Sequence, residues 1–152
     1  MIKALYLIYQ ILIALPIMIV ATLLTALVTM IGSVFDHRFW GYWPGMIWGR
    51  LFYLVFLIPV RVDGLANIRK GQSYVIAPNN QSYWDAFLVY GYIGIKFKWM
   101  MKKELSRIPF VGWACYMAGC IFIDRSSRGS GMESIRKAES KLKNGMSVVI
   151  FP

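Results

Sequence analysis

Hydrophobic and polar positions split the chain into two unlike parts. Between Lys3 and Asp36 there is no charged residue, a run of 32 positions. Uncharged apolar runs of about 18 or more are membrane-segment candidates. A soluble core helix does not reach this length, and the apolar core of a secretory signal covers only about 7–15 residues. As one helix the run would measure about 48 Å, against about 30 Å of hydrocarbon. Pro16 is placed to kink it and Gly32 with Ser33 to end it. The charged turn Asp36-His37-Arg38 leads into a second apolar block, Phe39 to Val60, which carries Gly41, Pro44, Gly45 and Arg50 and is rich in Trp and Tyr. A charge at mid-membrane costs about 2.5–3.5 kcal/mol, whereas aromatics and a snorkelling Arg suit the interface. The pattern predicts a membrane-embedded, N-terminal hydrophobic helical pair over residues 1–59. Two arrangements remain open: a pair sunk into one leaflet, or one transmembrane helix plus an interfacial helix.

Past Pro59 the apolar runs shorten and alternate in type. Tyr74 to Ala77 predicts a short buried strand stopped by Pro78. Trp84 to Ile93 predicts a helix with Asp85 in its first turn, where a carboxylate is favoured. Phe97 to Met101 predicts a strand, Ile108 to Ala118 a helix with Pro109 at its start, and Cys120 to Ile123 a strand. Ser126 to Gly131 is a polar loop. Met132 to Lys143 is the most regular helix: Met132, Ile135, Ala138 and Leu142 share one face, and Glu133–Lys137 and Glu139–Lys143 are favourable i,i+4 pairs. Gly145 stops it, and Met146 to Phe151 predicts a final strand. Strands alternating with helices make residues 60–152 an α/β domain.

Composition sharpens this picture. The chain is 58% hydrophobic with a mean hydropathy of +0.53, above the roughly 45–50% of soluble domains. Residues 61–152 carry 14 Lys/Arg against 6 Asp/Glu, a net of +8. This charge fits a solvated face, anionic lipid or an anionic substrate, and it favours a cytoplasmic side for the α/β domain. No nucleic-acid motif accompanies it, so no nucleic-acid partner is expected. Cys115 and Cys120 have no histidine near them, the single His37 lying between the apolar blocks. They are expected to be small buried residues, with no metal.

The candidate chemistry lies in Asn79-Asn80-Gln81-Ser82-Tyr83-Trp84-Asp85, at the carboxyl end of a strand and the start of a helix, where sites gather. Capping and turn formation by Asp85, Ser82 and Asn79 is the plain alternative.

This segment resembles the first motif of the glycerolipid acyltransferase family, which includes 1-acyl-sn-glycerol-3-phosphate acyltransferases. That motif is Asn-His-x-Ser-x-x-Asp. Asn79, Ser82 and Asp85 match it, and Asn80 stands at the histidine position. Further similarities follow in the family's order. "MKKELSRIPFVGW" resembles its Lys-Lys-x-Leu…Pro-x-x-Gly segment. "GCIFIDR" resembles Gly-x-x-Phe-Ile-x-Arg, and "VVIFP" resembles the opening of Phe-Pro-Glu-Gly-Thr-Arg. The resemblance covers roughly residues 58–152.

It implies acyl transfer from acyl-CoA or acyl-acyl carrier protein to the free hydroxyl of lysophosphatidic acid, making phosphatidic acid at a membrane. No metal or prosthetic group is implied; the thioester is a co-substrate. In the family the histidine takes the hydroxyl proton and the aspartate, here Asp85, holds the imidazole. Such base catalysis contributes about 10²–10⁴-fold. Arg125 would bind the substrate phosphate through bidentate, charge-assisted bonds. Lys102 and Lys103 are candidates for that phosphate or the donor's, and Ser82 for a local hydrogen bond.

Two departures bear on activity. The Asn80 amide has no useful basicity. The chain also stops before the third motif's Glu, Gly, Thr and Arg, so the domain is expected to be C-terminally incomplete and the chain as written impaired. A catalytically silent lipid-binding or scaffolding protein of the same fold is the alternative.

Overall fold

A computed structural model of the chain describes residues 2–69, 71–79, 82, 84–124, 132, 135–136, 138–140 and 145–151. The first apolar run is one long helix in three parts: α1 (Ile2–Tyr9), a π-helical turn (Gln10–Ala14) and α2 (Leu15–Asp36). The wide turn falls just before Pro16. Leu15 N–H donates to the carbonyl of Gln10, five residues back, which relieves crowding between the proline ring and the preceding turn.

Gly32 and Ser33 do not end the helix, contrary to the sequence expectation. The Trp40 ring packs on Gly32, where any Cβ would collide with it. The helix runs on to Asp36, whose carboxylate accepts the N–H groups of Arg38 and Phe39 at 2.8 and 3.2 Å. The chain then reverses into α3 (Trp43–Val55), which runs back along α2. Trp48 Nε1 donates to Thr22 Oγ1 at 2.9 Å, Tyr9 hydroxyl to the Val55 carbonyl at 2.7 Å and Tyr6 hydroxyl to the Phe56 carbonyl at 2.6 Å.

The α/β part contains β1 (Val75–Ile76), α4 (Asp85–Tyr92), β2 (Phe97–Lys102), α5 (Val111–Met117), β3 (Ile121–Ile123) and β4 (Ser147–Ile150). Its strands form one parallel sheet in the order β1-β4-β2-β3. The last strand is therefore central, with Val148 and Val149 fully covered, as unbroken apolar runs in parallel sheets require. β1 is an edge strand and not a buried one. Among the described residues it pairs only with β4, and Val75 is 66% exposed. Tyr42, Phe97, Trp99 and Val149 form a core on one face of the sheet; Met100, Ile121, Val148 and Ala138 form a second core. Positions 132, 135, 136 and 138–140 are helical; the other positions of the helix expected over 132–143, and the polar loop 126–131, lie outside the described residues.

The two parts of the chain pack side by side. At Gly49 and Gly91 the backbones of α3 and α4 meet closely: a Cβ at Gly49 would collide with the Phe87 carbonyl, and one at Gly91 would press on the backbone of Gly49 and Arg50. Arg50, the charge that interrupts the second block, donates from Nε to the Gly91 carbonyl at 2.8 Å and lies over the Tyr92 ring. A cation on the last carbonyls of a helix is favoured there. Lys98 repeats the device inside the protein. Only 3% exposed, its Nζ donates to the carbonyls of His37, at 2.7 Å, and Ala118, which close α2 and α5. Lys98→Met should leave these carbonyls without that donor, at about 1–3 kcal/mol each. The expected outcome is a clear fall in the melting temperature of the protein in detergent; an unchanged melting curve would refute the role.

Candidate active site

The parallel arrangement brings the carboxyl ends of all four strands to one edge of the sheet. The segments leaving them carry the candidate residues: Asn79 and Ser82 after β1, Lys102 and Lys103 at the end of β2, Asp124 after β3 and Phe151 after β4. Crevices at this edge are where open α/β sheets bind ligands. Asn80 and Arg125 lie outside the described residues.

Ser82 and Asp85 bond to each other's backbone. The Ser82 N–H donates to Asp85 Oδ2 at 3.0 Å, and the Asp85 N–H donates to the Ser82 carbonyl at 3.1 Å. Ser82 Oγ accepts the Trp84 N–H at 3.2 Å. This is the logic of a capping box: a hydroxyl and a carboxylate three residues on satisfy N–H groups that the helix cannot. Asp85 therefore has a capping role whatever else it does. The half-buried carboxylate is fixed in rotation, with the start of α4 behind it.

A residue of α3 reaches the same place. The Tyr53 hydroxyl donates to the Trp84 carbonyl at 3.2 Å. Burial, then the Asp85 charge, push the Tyr53 phenol up, so it keeps its proton and stays a donor. Phe52 stacks on Trp84 and Phe87, at 5.0 and 4.1 Å between ring centres. Nothing in the spacing around Tyr53 marks it, because its partner is 31 positions away.

Lys103 Nζ meets Asp124 Oδ2 at 2.8 Å across the ends of β2 and β3. Asp124 was passed over by sequence reasoning, although it immediately precedes Arg125; its signal was a lone carboxylate closing an apolar strand. Lys102 is exposed beside this pair. Asn79 is exposed at the end of the β1 segment. The cysteines take no part. Cys115 and Cys120 are free thiols. A hydrogen bond with Cys120, together with burial, pushes the Cys115 thiol well above its ordinary range, which removes it as a thiolate nucleophile.

Beyond Asp85 a groove of about 370 Å³ follows α4. Leu88, Val89 and Tyr92 line it, together with the Arg61–Asp63 ion pair, Leu65 and Ile68 from the segment before β1. Asp85, Leu88, Val89 and Tyr92 are spaced to share one helix face, so Asp85 stands one turn before the groove's lining on α4.

A sequence model of the family described as Acyltransferase matches residues 59–152. The 1-acyl-sn-glycerol-3-phosphate acyltransferase of Saccharomyces cerevisiae is 32% identical over 111 residues, 70% of this chain and 36% of that protein. The enzyme of that name from Pseudomonas aeruginosa is 36% identical over 96 residues, 62% of this chain and 37% of its own length. A chloroplastic one from Arabidopsis thaliana is 30% identical over 94 residues, 61% of this chain and 26% of its own. The chain thus spans about a third of the length of these relatives. No solved structure gives a significant match.

Proposed function

The chain belongs to the acyltransferase family, and from that premise we propose that it carries the core of a membrane-bound 1-acyl-sn-glycerol-3-phosphate O-acyltransferase. Lysophosphatidic acid is the acceptor, acyl-CoA or acyl-acyl carrier protein the donor, and phosphatidic acid the product. The observation that carries the reading is the carboxyl edge of the sheet. It brings a rotationally fixed carboxylate, Asp85, and the cations Lys102 and Lys103 to one edge of the sheet, and a groove lined by Leu88, Val89 and Tyr92 follows α4 from the turn after Asp85. An acyl transfer to a phosphorylated alcohol needs these three features: an anchor for a base, positive charge for phosphate, and room for a chain.

In this mechanism the acceptor hydroxyl attacks the thioester carbonyl directly. In the family's form of the reaction a histidine at position 80 would take the hydroxyl proton as the C–O bond forms. The tetrahedral intermediate then collapses with loss of the thiolate, which receives the proton. Asp85 orients the base, and Arg125 with Lys102 holds the phosphate. Lys103 reaches a ligand only by sharing its charge with Asp124. With Asn80 at the base position, proton removal falls to solvent and the rate is low.

The acyl chain occupies the α4 groove. Leu88→Trp, which fills the exposed lining without touching the core, should shift donor preference toward shorter chains by about tenfold in relative kcat/KM. A competition assay with mixed acyl donors checks this; an unaltered product distribution would remove the groove from the site.

The long helix suits a membrane, since Ile2–Asp36 has a hydropathy of 2.8 and most of its surface is uncovered. It packs on α5 and α3 along its flank, and α3 packs on α4. A helix standing upright across the bilayer would draw the charged α/β domain into hydrocarbon beside it. A pair lying in one leaflet keeps that domain at the headgroups, on the cytoplasmic side by its charge.

The deciding assay is phosphatidic acid formation from lysophosphatidic acid and each acyl donor in mixed micelles. Asn80 itself favours a second reading, a silent lipid-binding protein. Thermal stabilisation by lysophosphatidic acid with no turnover would support it.

A further inference from the structure

The α/β domain carries an apolar face of its own beside that of the long helix. After β2 a 3-10 turn (Lys103–Arg107) leads through Ile108-Pro109-Phe110 into α5. The sequence pattern had placed Ile108 to Phe110 inside that helix. Instead, Phe110 sits at φ 61° and ψ −54°, and the Val111 N–H donates to the Pro109 carbonyl at 2.7 Å. This is a γ-turn, a strained conformation for a residue with a bulky side chain. Gly112 locks it in place, because its Cα lies against the Ser106 carbonyl with no room for a Cβ.

The outcome of that strain is that an aromatic ring is held away from the core. Phe110 is 51% exposed, Trp113 54% and Tyr116 74%. Phe110 and Trp113 rings lie 5.5 Å apart, and Leu105, Ile108 and Met117 extend the exposed face. The buried side of α5, through Gly112 and Ala114, faces inward. The apolar exposure that this turn creates is unfavourable in water and is relieved in an apolar medium.

Its position says which medium. α5 packs directly against α2, so this face continues the uncovered apolar surface of the long helix. Its other end is the turn that starts at Lys103, on the catalytic edge. Lys102, Lys103 and Arg107 there outnumber Glu104 and Asp124 by one charge, so apolar burial, more than charge, is the attraction. Trp and Tyr are the side chains that favour the bilayer interface.

We propose that the segment 105–117 is a second bilayer-docking surface, with Phe110, Trp113 and Tyr116 inserted among lipid chains beside α2. It rests on the membrane reading above and adds a contact from the α/β domain itself. Together the two contacts fix the tilt of the domain and hold the carboxyl edge of the sheet at the headgroups, where a single-chain lipid presents its hydroxyl.

The test uses the full chain in phosphatidylcholine–phosphatidylglycerol vesicles. Nitroxide labels are attached at Phe110→Cys and Tyr116→Cys in a Cys115→Ala, Cys120→Ala background. Leu24→Cys, on the long helix, and Ala66→Cys, on an exposed turn, are references. The expected result is loss of collision with a water-soluble nickel complex at 110 and 116, with gain of collision with oxygen, to the level read at 24. In a cysteine-unaltered chain, Trp113→Phe should remove a measurable share of the tryptophan emission that brominated lipid quenches, which keeps the test independent of the labelled background. Nickel access at 110 and 116 equal to that at 66, with 24 in lipid, overturns the proposal and leaves the membrane reading standing. Shielding from both reagents overturns it too, since protein and not lipid then covers the face. Nickel access at 24 overturns both.

Discussion

Asn80→His is expected to raise kcat/KM for acyl transfer to lysophosphatidic acid by about 10²–10⁴-fold, the usual contribution of a positioned general base. An amide at position 80 can hold a hydrogen bond but cannot take a proton from an alcohol. The attacking hydroxyl must then lose its proton to water while the C–O bond forms. An imidazole five residues before Asp85, with an ordinary pKa near 6.5, is matched to that transfer at neutral pH. The gain should therefore be smallest at acid pH, where the imidazole is protonated, and level off above about pH 7. It should appear in kcat and leave KM for the lysolipid nearly unchanged, because the base acts on a bond that changes only in the transition state. Asn80→Gln, an amide for an amide, should give no gain. Equal rates for Asn80 and Asn80→His would mean that position 80 is not the base position.

How far the sequence carried this reading depends on the range of each interaction. β2, β3 and β4 were legible as short, mostly apolar runs, because strands covered by the sheet's two cores carry apolar side chains on both faces. α4 was legible from its start, where Ser82 and Asp85 form a local box. The sheet order was not legible. β4 inserts between β1 and β2 through contacts such as Val75 with Val148 and Phe97 with Ser147, and that pairing also leaves Val75 exposed at the edge. The same limit hid Lys98 and Arg50. Arg50 looks like a snorkelling interfacial cation in its own window, and nothing there marks Lys98, yet both donate to carbonyls at helix ends from distant parts of the chain.

Local pattern misled where two rules competed. Gly32-Ser33 looks like a helix stop, but tertiary packing of Trp40 on Gly32 carries the helix past it. Pro109 looks like a helix start, but the contact of Gly112 with Ser106 forces a γ-turn instead. In the candidate site the spacing Ser82-x-x-Asp85 was visible, as was Arg125 beside Asp124. The Lys103–Asp124 pairing and the Tyr53 hydroxyl on Trp84 were not, since both join residues far apart in sequence.

Asp85→Asn in the Asn80→His background should cancel most of the gain in kcat that the histidine brings, a loss of up to about 10²–10⁴-fold, since a catalytic imidazole depends strongly on its carboxylate partner. The substitution separates the two roles that Asp85 holds. Asparagine keeps an oxygen that can accept the Ser82 N–H now bonded to Asp85 Oδ2 at 3.0 Å, so the start of α4 should persist and the melting temperature should hardly move. What disappears is the negative charge that fixes the imidazole tautomer and stabilises the imidazolium formed during attack. Asp85→Ala removes the acceptor as well. It should add a loss of roughly 1 kcal/mol in stability, as for other lost helix caps, to a similar loss of rate. With Asn80 in place there is no imidazole to orient, so Asp85→Asn should change the rate little. The two substitutions are thus expected to couple strongly in a double-mutant cycle of transfer rates. If Asp85→Asn cost the same factor with Asn80 as with Asn80→His, the carboxylate would be acting independently of position 80. Its place in the site would then be that of a helix cap alone.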